Sequence, residues 1–249
     1  MCTVTFIPKP GGCLVAMNRD DLRSRPLALP PAVRRIEDAL AIYPSEPEGG
    51  TWIGVNDRGI VFALLNWHVR QPVKLRTRGE VIPALLAADS LSAAGLLLRG
   101  MNLSGMLPFR LLGFSTREKK ICEWRWDGDS VSQCSHPWQL EHWFSGPSDE
   151  RADAARRPVC VSAARQADAG SVGWVRRLHR LHRGVFGICL HHPVAATLSY
   201  TEVLCRRSQA VMRYTAGNPC ARGTATAAAI RASAGPREAR RHQAARCTM

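Results

Sequence analysis

A cysteine at position 2 and an arginine–aspartate pair at positions 19 and 20 are residues whose types and spacing point to chemistry. Removal of the initiator methionine would leave Cys2 with a thiol and a free α-amine on one residue. The amine titrates at about 7.7–8.0 and the thiol at about 8.5, so the amine can act as base for the thiol. A nearby arginine such as Arg19 favours the thiolate, and a carboxylate such as Asp20 can hold the amine. These residue types predict a nucleophilic centre.

The stretch around these residues has the pattern of an antiparallel hairpin. Residues 3–6 and 13–17 are short β-branched or apolar runs, and the Pro/Gly-rich residues 8–12 between them favour a turn. A turn there pairs residues whose numbers sum to about 20 or 21, which places Cys2 opposite position 18 or 19. Asp20 is then a diagonal step away, at roughly 5–8 Å. The hairpin therefore predicts that the three residues converge.

A second hairpin is predicted over residues 51–66, with its turn at 56–59. The returning strand, residues 60–66, is an almost continuous apolar run, which is typical of burial on both faces. It ends at Asn66, whose side-chain amide can donate a hydrogen bond to an oxyanion. Asn66 is therefore predicted to complete the catalytic set.

The start of this second hairpin predicts a place for a ligand. Strand pairing with number sums of about 115 puts Gly49 and Gly50 beside Asn66, where the absent side chains leave room for a ligand or another backbone. Trp52 and His68, which flank the two strands, are predicted together with these glycines to bind substrate.

Composition narrows the class of protein. An apolar content of 45% with mixed charge indicates a globular chain. No apolar run reaches the eighteen or so residues that span a bilayer, so no membrane span is expected. The N-terminus lacks a basic segment followed by an apolar stretch, so the chain is expected in the cytoplasm.

The net charge of +14 is not distributed as in a nucleic-acid binder. Only four of the 34 basic residues are lysine, and the basic residues are dispersed, with local groups that include Arg156 and Arg157. No basic segment is interleaved with the stacking aromatics that single-stranded nucleic acid requires. Most of the arginines are predicted to lie on the solvated surface, and no specific nucleic-acid partner is expected.

The nine cysteines contain no C-x-x-C motif, so the sequence predicts neither a metal site nor a redox pair. All of them except Cys2 are predicted to be small hydrophobic residues of the core, as cysteines in a reducing compartment commonly are.

The rest of the chain predicts mostly short strands, with helices in two blocks. Residues 21–31 are too rich in proline for regular structure. Strands are predicted at 108–115, 121–126, 130–134, 185–190, 196–205 and 210–214, and helical segments at 32–40, 79–88, 90–99, 149–157 and 173–183. This arrangement predicts an α+β fold in which two antiparallel sheets pack together with helices outside. A single domain is predicted over residues 1–220, followed by a disordered Ala/Arg-rich tail at 221–249.

Several of these segments resemble the NRDE family, which is also called the transport and Golgi organisation protein 2 family. They are the opening residues 1–6, the motif Asn18-Arg19-Asp20-Asp21, residues 49–56 and residues 63–66, with looser matches as far as about residue 215. The fourth letter of the family motif is Asp21 here instead of Glu.

The NRDE family is similar in turn to N-terminal-nucleophile hydrolases of the choloylglycine hydrolase and penicillin V acylase type. This similarity implies a four-layer αββα sandwich. It also implies that Cys2 is the nucleophile, that Arg19 and Asp20 are the active-site Arg–Asp pair, and that Asn66 is an oxyanion-hole asparagine.

Those hydrolases carry two further residues, a second asparagine and a late arginine. Residues 145–148 lie where the asparagine is expected, and they contain none. The candidates for the arginine are Arg206, Arg207 and Arg213.

Two main functions follow from the residues and the resemblance. The first is a cysteine N-terminal-nucleophile hydrolase acting on a small-molecule linear amide or a related acyl bond, without a cofactor. The second is a non-enzymatic haem or acyl-lipid binding and trafficking factor, with His68, His191 and His192 as candidate haem ligands. A third is a polyanion-binding protein that uses residues 173–183 and the tail.

Overall fold

The computed structural model describes residues 2–67, 76–146, 148–181, 186–221 and 223–233. These residues form thirteen strands, four α-helices and one 3-10 turn. The strands are β1 (Cys2–Lys9), β2 (Gly12–Leu22), β3 (Leu29–Ile36), β4 (Ala39–Ser45), β5 (Ile53–Asn56), β6 (Ile60–Asn66), β7 (Phe109–Ser115), β8 (Lys120–Trp126), β9 (Val131–His136), β10 (Glu141–Ser145), β11 (Ala195–Arg206), β12 (Gln209–Ala216) and β13 (Ala225–Arg231). The helices are α1 (Val81–Leu85), α2 (Leu91–Gly100), α3 (Asp149–Ala163) and α4 (Val172–Leu178), and the 3-10 turn is Arg78–Glu80.

The first sheet contains six strands in the order β10-β1-β2-β11-β12-β13. Strands β1 and β2 form the predicted opening hairpin, and Cys2 pairs with Arg19, so the predicted register is confirmed. On its other side β1 pairs with β10, which places Ser145 opposite Cys2. Cys2 therefore lies between two neighbouring strands and is not on an edge of the sheet.

The second sheet contains seven strands in the order β3 to β9. The second predicted hairpin is confirmed as β5 and β6, in which Ile53 pairs with Ala63. The apolar run of β6 is buried along its whole length until Asn66, as its composition predicts. Asn66 itself pairs with Phe109 of β7.

The two sheets pack face to face, with helices on both outer faces. Along β1 the side chains alternate, as they must in a strand. Cys2, Val4 and Phe6 face the second sheet, whereas Ile7 packs in the cluster formed with α3 and α4. Helices α1 and α2 cover the outer face of the second sheet. The layers are therefore α, β, β and α, and the predicted α+β sandwich is confirmed.

The helices of this sandwich begin at serine side chains. Ser90 Oγ accepts a hydrogen bond from the backbone at the start of α2, and Ser148 and Ser171 do the same for α3 and α4. Helix α3 continues to Ala163, well beyond the predicted helical turn. In the described part of the chain, no helix combines the length and the apolar content that a membrane crossing requires.

The predicted helix at residues 32–40 is wrong, because most of this segment belongs to β3. The proline-rich segment 21–31 is likewise partly regular, since it includes the end of β2 and the start of β3. Strand β3 is an edge strand of the second sheet, and an edge tolerates the prolines that argue against a strand inside a sheet.

Two predictions near the end of the chain are also wrong. Residues 186–190 of the predicted strand 185–190 form no strand. Their backbone groups form hydrogen bonds with side chains and within turns instead of with a neighbouring strand; for example, Ile188 O accepts a hydrogen bond from Asn18 Nδ2. The tail is not disordered at Ala225–Arg231, which pairs with β12 as β13. Backbone hydrogen bonds to β12 and the burial of Ile230 stabilise this segment. Its composition, which is rich in alanine, indicates neither of these interactions.

A network of buried polar side chains links β1, β2 and β10 to the end of α4. Thr5 Oγ1 lies 3.0 Å from His142 Nδ1 and 2.9 Å from His179 Nε2, and His179 Nδ1 lies 3.1 Å from Asn18 Oδ1. Burial is the largest influence on both rings, and it lowers the pKa of His142 to about 4 and that of His179 to about 3. Both histidines are therefore neutral in the folded protein at pH 7.

The two buried, neutral histidines predict that acid destabilises the folded protein. Unfolded histidine titrates at about 6.5, so between that pH and the lower folded pKa the unfolded state binds one more proton per histidine. The free energy of unfolding should then fall by about 1.4 kcal/mol per pH unit for each histidine. The free energy of unfolding of the His179→Gln variant, measured with urea between about pH 6 and pH 4.5, should change with pH less steeply by that amount.

His192→Gln, at a histidine outside this network of side chains, provides the control and should leave the slope as it is in the unmodified protein. Equal slopes in the His179→Gln variant and the unmodified protein would contradict the assignment.

Candidate functional site

A small cavity of about 100 Å³ lies where the opening hairpin meets the second sheet. All four residues of the predicted catalytic set line it, together with one predicted substrate-binding residue and an arginine from the 3-10 turn. These lining residues are Cys2, Arg19, Asp20, Asn66, Trp52 and Arg78. Two separate hairpins and a third segment are therefore needed to form the site.

Cys2 is buried, and its backbone and thiol are both in polar contact. Its backbone nitrogen donates a hydrogen bond to Ser145 Oγ at 3.0 Å, and its Sγ lies 3.9 Å from the carbonyl oxygen of Asp20. Burial raises the pKa of the Cys2 thiol, and the nearby charge of Asp20 acts in the same direction. The thiol is thus held in the neutral form unless a base or a cation assists it.

Arg19 and Asp20 point to opposite faces of β2, and each forms its described ion pairs with other residues. Successive side chains of a strand point to opposite faces, and these two residues are neighbours in β2. The guanidinium of Arg19 lies 4.3 Å over the ring of Trp52 and forms ion pairs with Asp21, at 3.0 Å, and with Glu46. Two carboxylates therefore compensate the charge of Arg19.

Asp20 instead points to the helical side, where its partner is Arg156 of α3. Arg156 Nη2 donates to Asp20 Oδ2 at 3.0 Å, and Thr197 Oγ1 donates to Asp20 Oδ1 at 2.6 Å. Arg156 Nη1 also donates to the Cys2 carbonyl oxygen at 3.1 Å and to Thr3 Oγ1 at 2.7 Å. Burial raises the pKa of the Asp20 carboxyl, and the charge of Arg156 acts against it.

Arg156 is an exception to the prediction that most of the arginines are solvated, since its side chain is fully buried. The buried residues of α3 are Ala152, Arg156, Cys160 and Ala163, which recur at helical spacing. The arginine therefore stands on the apolar stripe of the helix. That spacing is the sequence signal that separates Arg156 from its exposed neighbour Arg157.

Arg78 is a further cation of the cavity that the sequence reasoning missed. Its Nη1 donates to the carbonyl oxygen of Pro108 at 3.0 Å, and among the described residues no carboxylate forms an ion pair with it. Burial lowers the pKa of Arg78, and the negative charge of a Cys2 thiolate acts in the opposite direction. The two groups are thus within electrostatic reach of each other.

Of the two predicted glycines, Gly50 allows the backbone of the 3-10 turn that carries Arg78 to approach closely, and neither glycine is among the described residues that line the cavity. A Cβ on Gly50 would lie 3.0 Å from the backbone of Gly79, so only glycine permits this approach. Gly50 also has a φ of +86°, and Gly49 one of +90°. The close approach of another backbone, which is one of the two predicted uses of these glycines, is the one observed. His68 lies outside the described residues.

Among the described residues, none of the candidates for the two further residues of the related hydrolases lines the cavity of Cys2. Ser145 occupies the position beside Cys2, at the start of the loop where the second asparagine is expected. Arg206 and Arg207 line a different cavity, near the turn of the opening hairpin, and Arg213 lines neither of these two cavities.

The layer order and the position of Cys2 define the class of fold: it is that of the N-terminal-nucleophile hydrolases. Two solved structures support this. Penicillin V acylase from Agrobacterium tumefaciens aligns with a TM-score of 0.57 at 12% identity, over 87% of this chain and 83% of that one. A mutant of the conjugated bile acid hydrolase from Clostridium perfringens aligns with a TM-score of 0.55 at 9% identity, over 94% of this chain and 97% of that one.

The chain belongs to the Transport and Golgi organisation 2 family, whose model matches residues 1–136. The human Transport and Golgi organization protein 2 homolog is 32% identical over 121 residues, which are 41% of this chain and 44% of the human protein. The matched region therefore spans less than half of the length of that relative.

The buried ion pair between Asp20 and Arg156 predicts a large effect on stability. Arg156→Met leaves a buried carboxylate without its cation and should lower the free energy of unfolding by about 3–5 kcal/mol. Arg157→Met is the matched control, because that neighbouring side chain is 43% exposed and its ion pairs with Asp153 and Glu141 lie at the surface, so it should cost less stability than Arg156→Met. Denaturant unfolding measures both changes.

The double variant Asp20→Asn with Arg156→Met removes both charges and should lose less stability than the two single variants added together. Strict additivity would mean that the pair does not couple.

The proximity of Arg78 predicts an effect on the thiol. Arg78→Met removes a cation near Cys2, so the pKa of the thiol should rise. The rate of alkylation of the Cys2 peptide by iodoacetamide, followed against pH by mass spectrometry, measures this change. Arg25→Met is the control, since Arg25 lines the same cavity but pairs with Asp21 and Glu46. Identical profiles for both variants would contradict a role of Arg78.

Proposed function

We propose that this chain is a hydrolase that uses Cys2 as an N-terminal nucleophile to cleave a linear amide or a related acyl bond. The observation that carries this proposal is the place of Cys2: its thiol lines a cavity, and its own backbone nitrogen is held by Ser145 Oγ at 3.0 Å. When the initiator methionine is removed, that nitrogen becomes an α-amine. Nucleophile and base then belong to one residue in a fixed position.

The chemical step follows from these two groups. The α-amine takes the thiol proton, and the thiolate sulfur bonds to the carbonyl carbon of the substrate. The tetrahedral intermediate then expels the amine of the substrate, which leaves with the proton that the α-amine returns. A water molecule, deprotonated by the same α-amine, hydrolyses the thioester and restores the thiol. Because burial raises the pKa of the thiol, this base is needed at neutral pH.

Two side chains of the cavity support the charges of this reaction. Asn66 follows the buried run of β6, and its side-chain amide is the proposed donor to the oxyanion. Arg78 supplies positive charge beside the thiolate. The ion pair of Asp20 with Arg156 fixes the backbone of Cys2, because Arg156 also binds the Cys2 carbonyl oxygen.

The size of the cavity favours the hydrolase over the haem or acyl-lipid carrier. Pockets that enclose a drug-sized ligand measure about 300–1,000 Å³. The cavity of about 100 Å³ formed by the described residues instead fits the reacting end of an acyl group. The two structural neighbours are named as an acylase and a hydrolase, which agrees with this proposal.

Labelling with an electrophilic amide analogue tests the proposal. Intact mass should first show that Met1 has been removed from the purified protein. One adduct per chain should then form on Cys2. Cys2→Ala should abolish it, and Asn66→Ala should slow its formation by about 10²–10³-fold because an oxyanion donor is lost.

The exposed Cys134 is the control, and Cys134→Ala should leave the adduct unchanged. A retained Met1 would remove the α-amine and contradict the mechanism. Labelling spread evenly over other cysteines would contradict the role of Cys2 as nucleophile.

A further inference from the structure

Three sulfur and nitrogen donors that are far apart in sequence meet in space behind the first sheet. They are Cys189 and His191, which precede β11, and Cys220, which follows β12. Their ligand atoms all lie within 4.8 Å of one another. His191 Nε2 is 3.4 Å from Cys189 Sγ and 3.0 Å from Cys220 Sγ. We propose that this Cys189–His191–Cys220 cluster binds a zinc ion.

The distances suit a tetrahedral metal ion. Zinc binds cysteine sulfur at about 2.3 Å and histidine nitrogen at about 2.0–2.1 Å, so two such donors on one ion are about 3.5 Å apart. Both sulfur-to-nitrogen distances of the cluster are near this value, and small rotations of the side chains are enough to reach it. Two thiolates with one imidazole form a soft donor set, which favours zinc over calcium or magnesium.

The second ring nitrogen of His191 also has the environment of a metal ligand. A ligating histidine usually donates its other ring N–H to a neighbouring acceptor, which fixes the tautomer. His191 Nδ1 lies 3.4 Å from the side-chain amide of Asn218, and rotation of that amide presents its oxygen to the ring. Nε2 is then the unprotonated nitrogen, and it is the one that faces both sulfurs.

A second group of possible ligands, formed by Glu123, Cys134 and His136, does not carry the same inference. Its carboxylate is already neutralised by Arg110 and Arg125, at 2.6 and 2.7 Å. A metal cation bound there would have to lie beside two guanidinium groups. Burial acts to raise the pKa of Glu123, but these arginines outweigh it and lower the pKa to about 2.

The position of the cluster gives the ion a structural role. Leu190, between the two ligands that precede β11, exchanges hydrogen bonds with Thr197 through its backbone, and Thr197 Oγ1 donates to Asp20. Cys220 lies in the connection between β12 and β13. The ion therefore joins the segment that supports Asp20 to the last described strands. Three of the described residues offer ligand atoms to the ion, and Cys220 is the exposed one.

Metal analysis of the purified full chain tests the inference. After reduction and removal of metal, the protein should take up one zinc ion per chain and melt at a higher temperature with zinc than without it. Cobalt(II) in place of zinc should give the absorption bands of a tetrahedral site with thiolate ligands. Titration against a competing chelator measures the affinity.

Cys220→Ser is the decisive variant, because the exposed position allows the chain to fold without the thiol. Its zinc affinity should fall by at least about tenfold. Cys134→Ser, which removes the exposed thiol of the other cluster, is the matched control and should bind zinc as the unmodified protein does. No uptake of zinc by the reduced protein, or equal affinities of the two variants, would overturn the inference. A Cys189–Cys220 disulfide that re-forms in place of zinc uptake would overturn it as well.

Discussion

The ion pair between Asp20 and Arg156 is made of two side chains that are both withdrawn from solvent. Because an unpaired charge is costly in such a place, each residue requires the other. Arg156 uses its remaining donors on the Cys2 carbonyl oxygen and on Thr3. One interaction therefore joins α3 to both strands of the opening hairpin and fixes the backbone that carries the thiol.

The charges around the cavity depend on the alternation of side chains in β2, which places Arg19 and Asp20 on opposite faces of the strand. Arg19, on the inner face, meets Trp52 and two carboxylates, so little of its charge is left for the thiol. Asp20, on the helical face, is compensated by Arg156. Arg78 also lines the cavity, within electrostatic reach of the Cys2 thiol, and Gly50 allows the neighbouring Gly79 to approach closely.

The proposed zinc cluster is connected to the Asp20 carboxylate through Leu190 and Thr197. The sequence gives no indication of it. Two of its ligands are separated from the third by most of β11 and β12, and none forms a C-x-x-C motif. Antiparallel pairing of these two strands brings the ends of the segment together.

The sequence by itself determined the two hairpins, the register that places Cys2 opposite Arg19, and the burial of β6. These features depend on alternation and turn chemistry, which act between residues close in the chain. Only the tertiary structure decided the partners: Ser145 for the Cys2 nitrogen, Arg156 for Asp20, and Arg78 for the thiol. These partners come from β10, α3 and the 3-10 turn, which are far from the opening hairpin in sequence. The packing of the layers brings them to the hairpin, where a buried charge requires a compensating group.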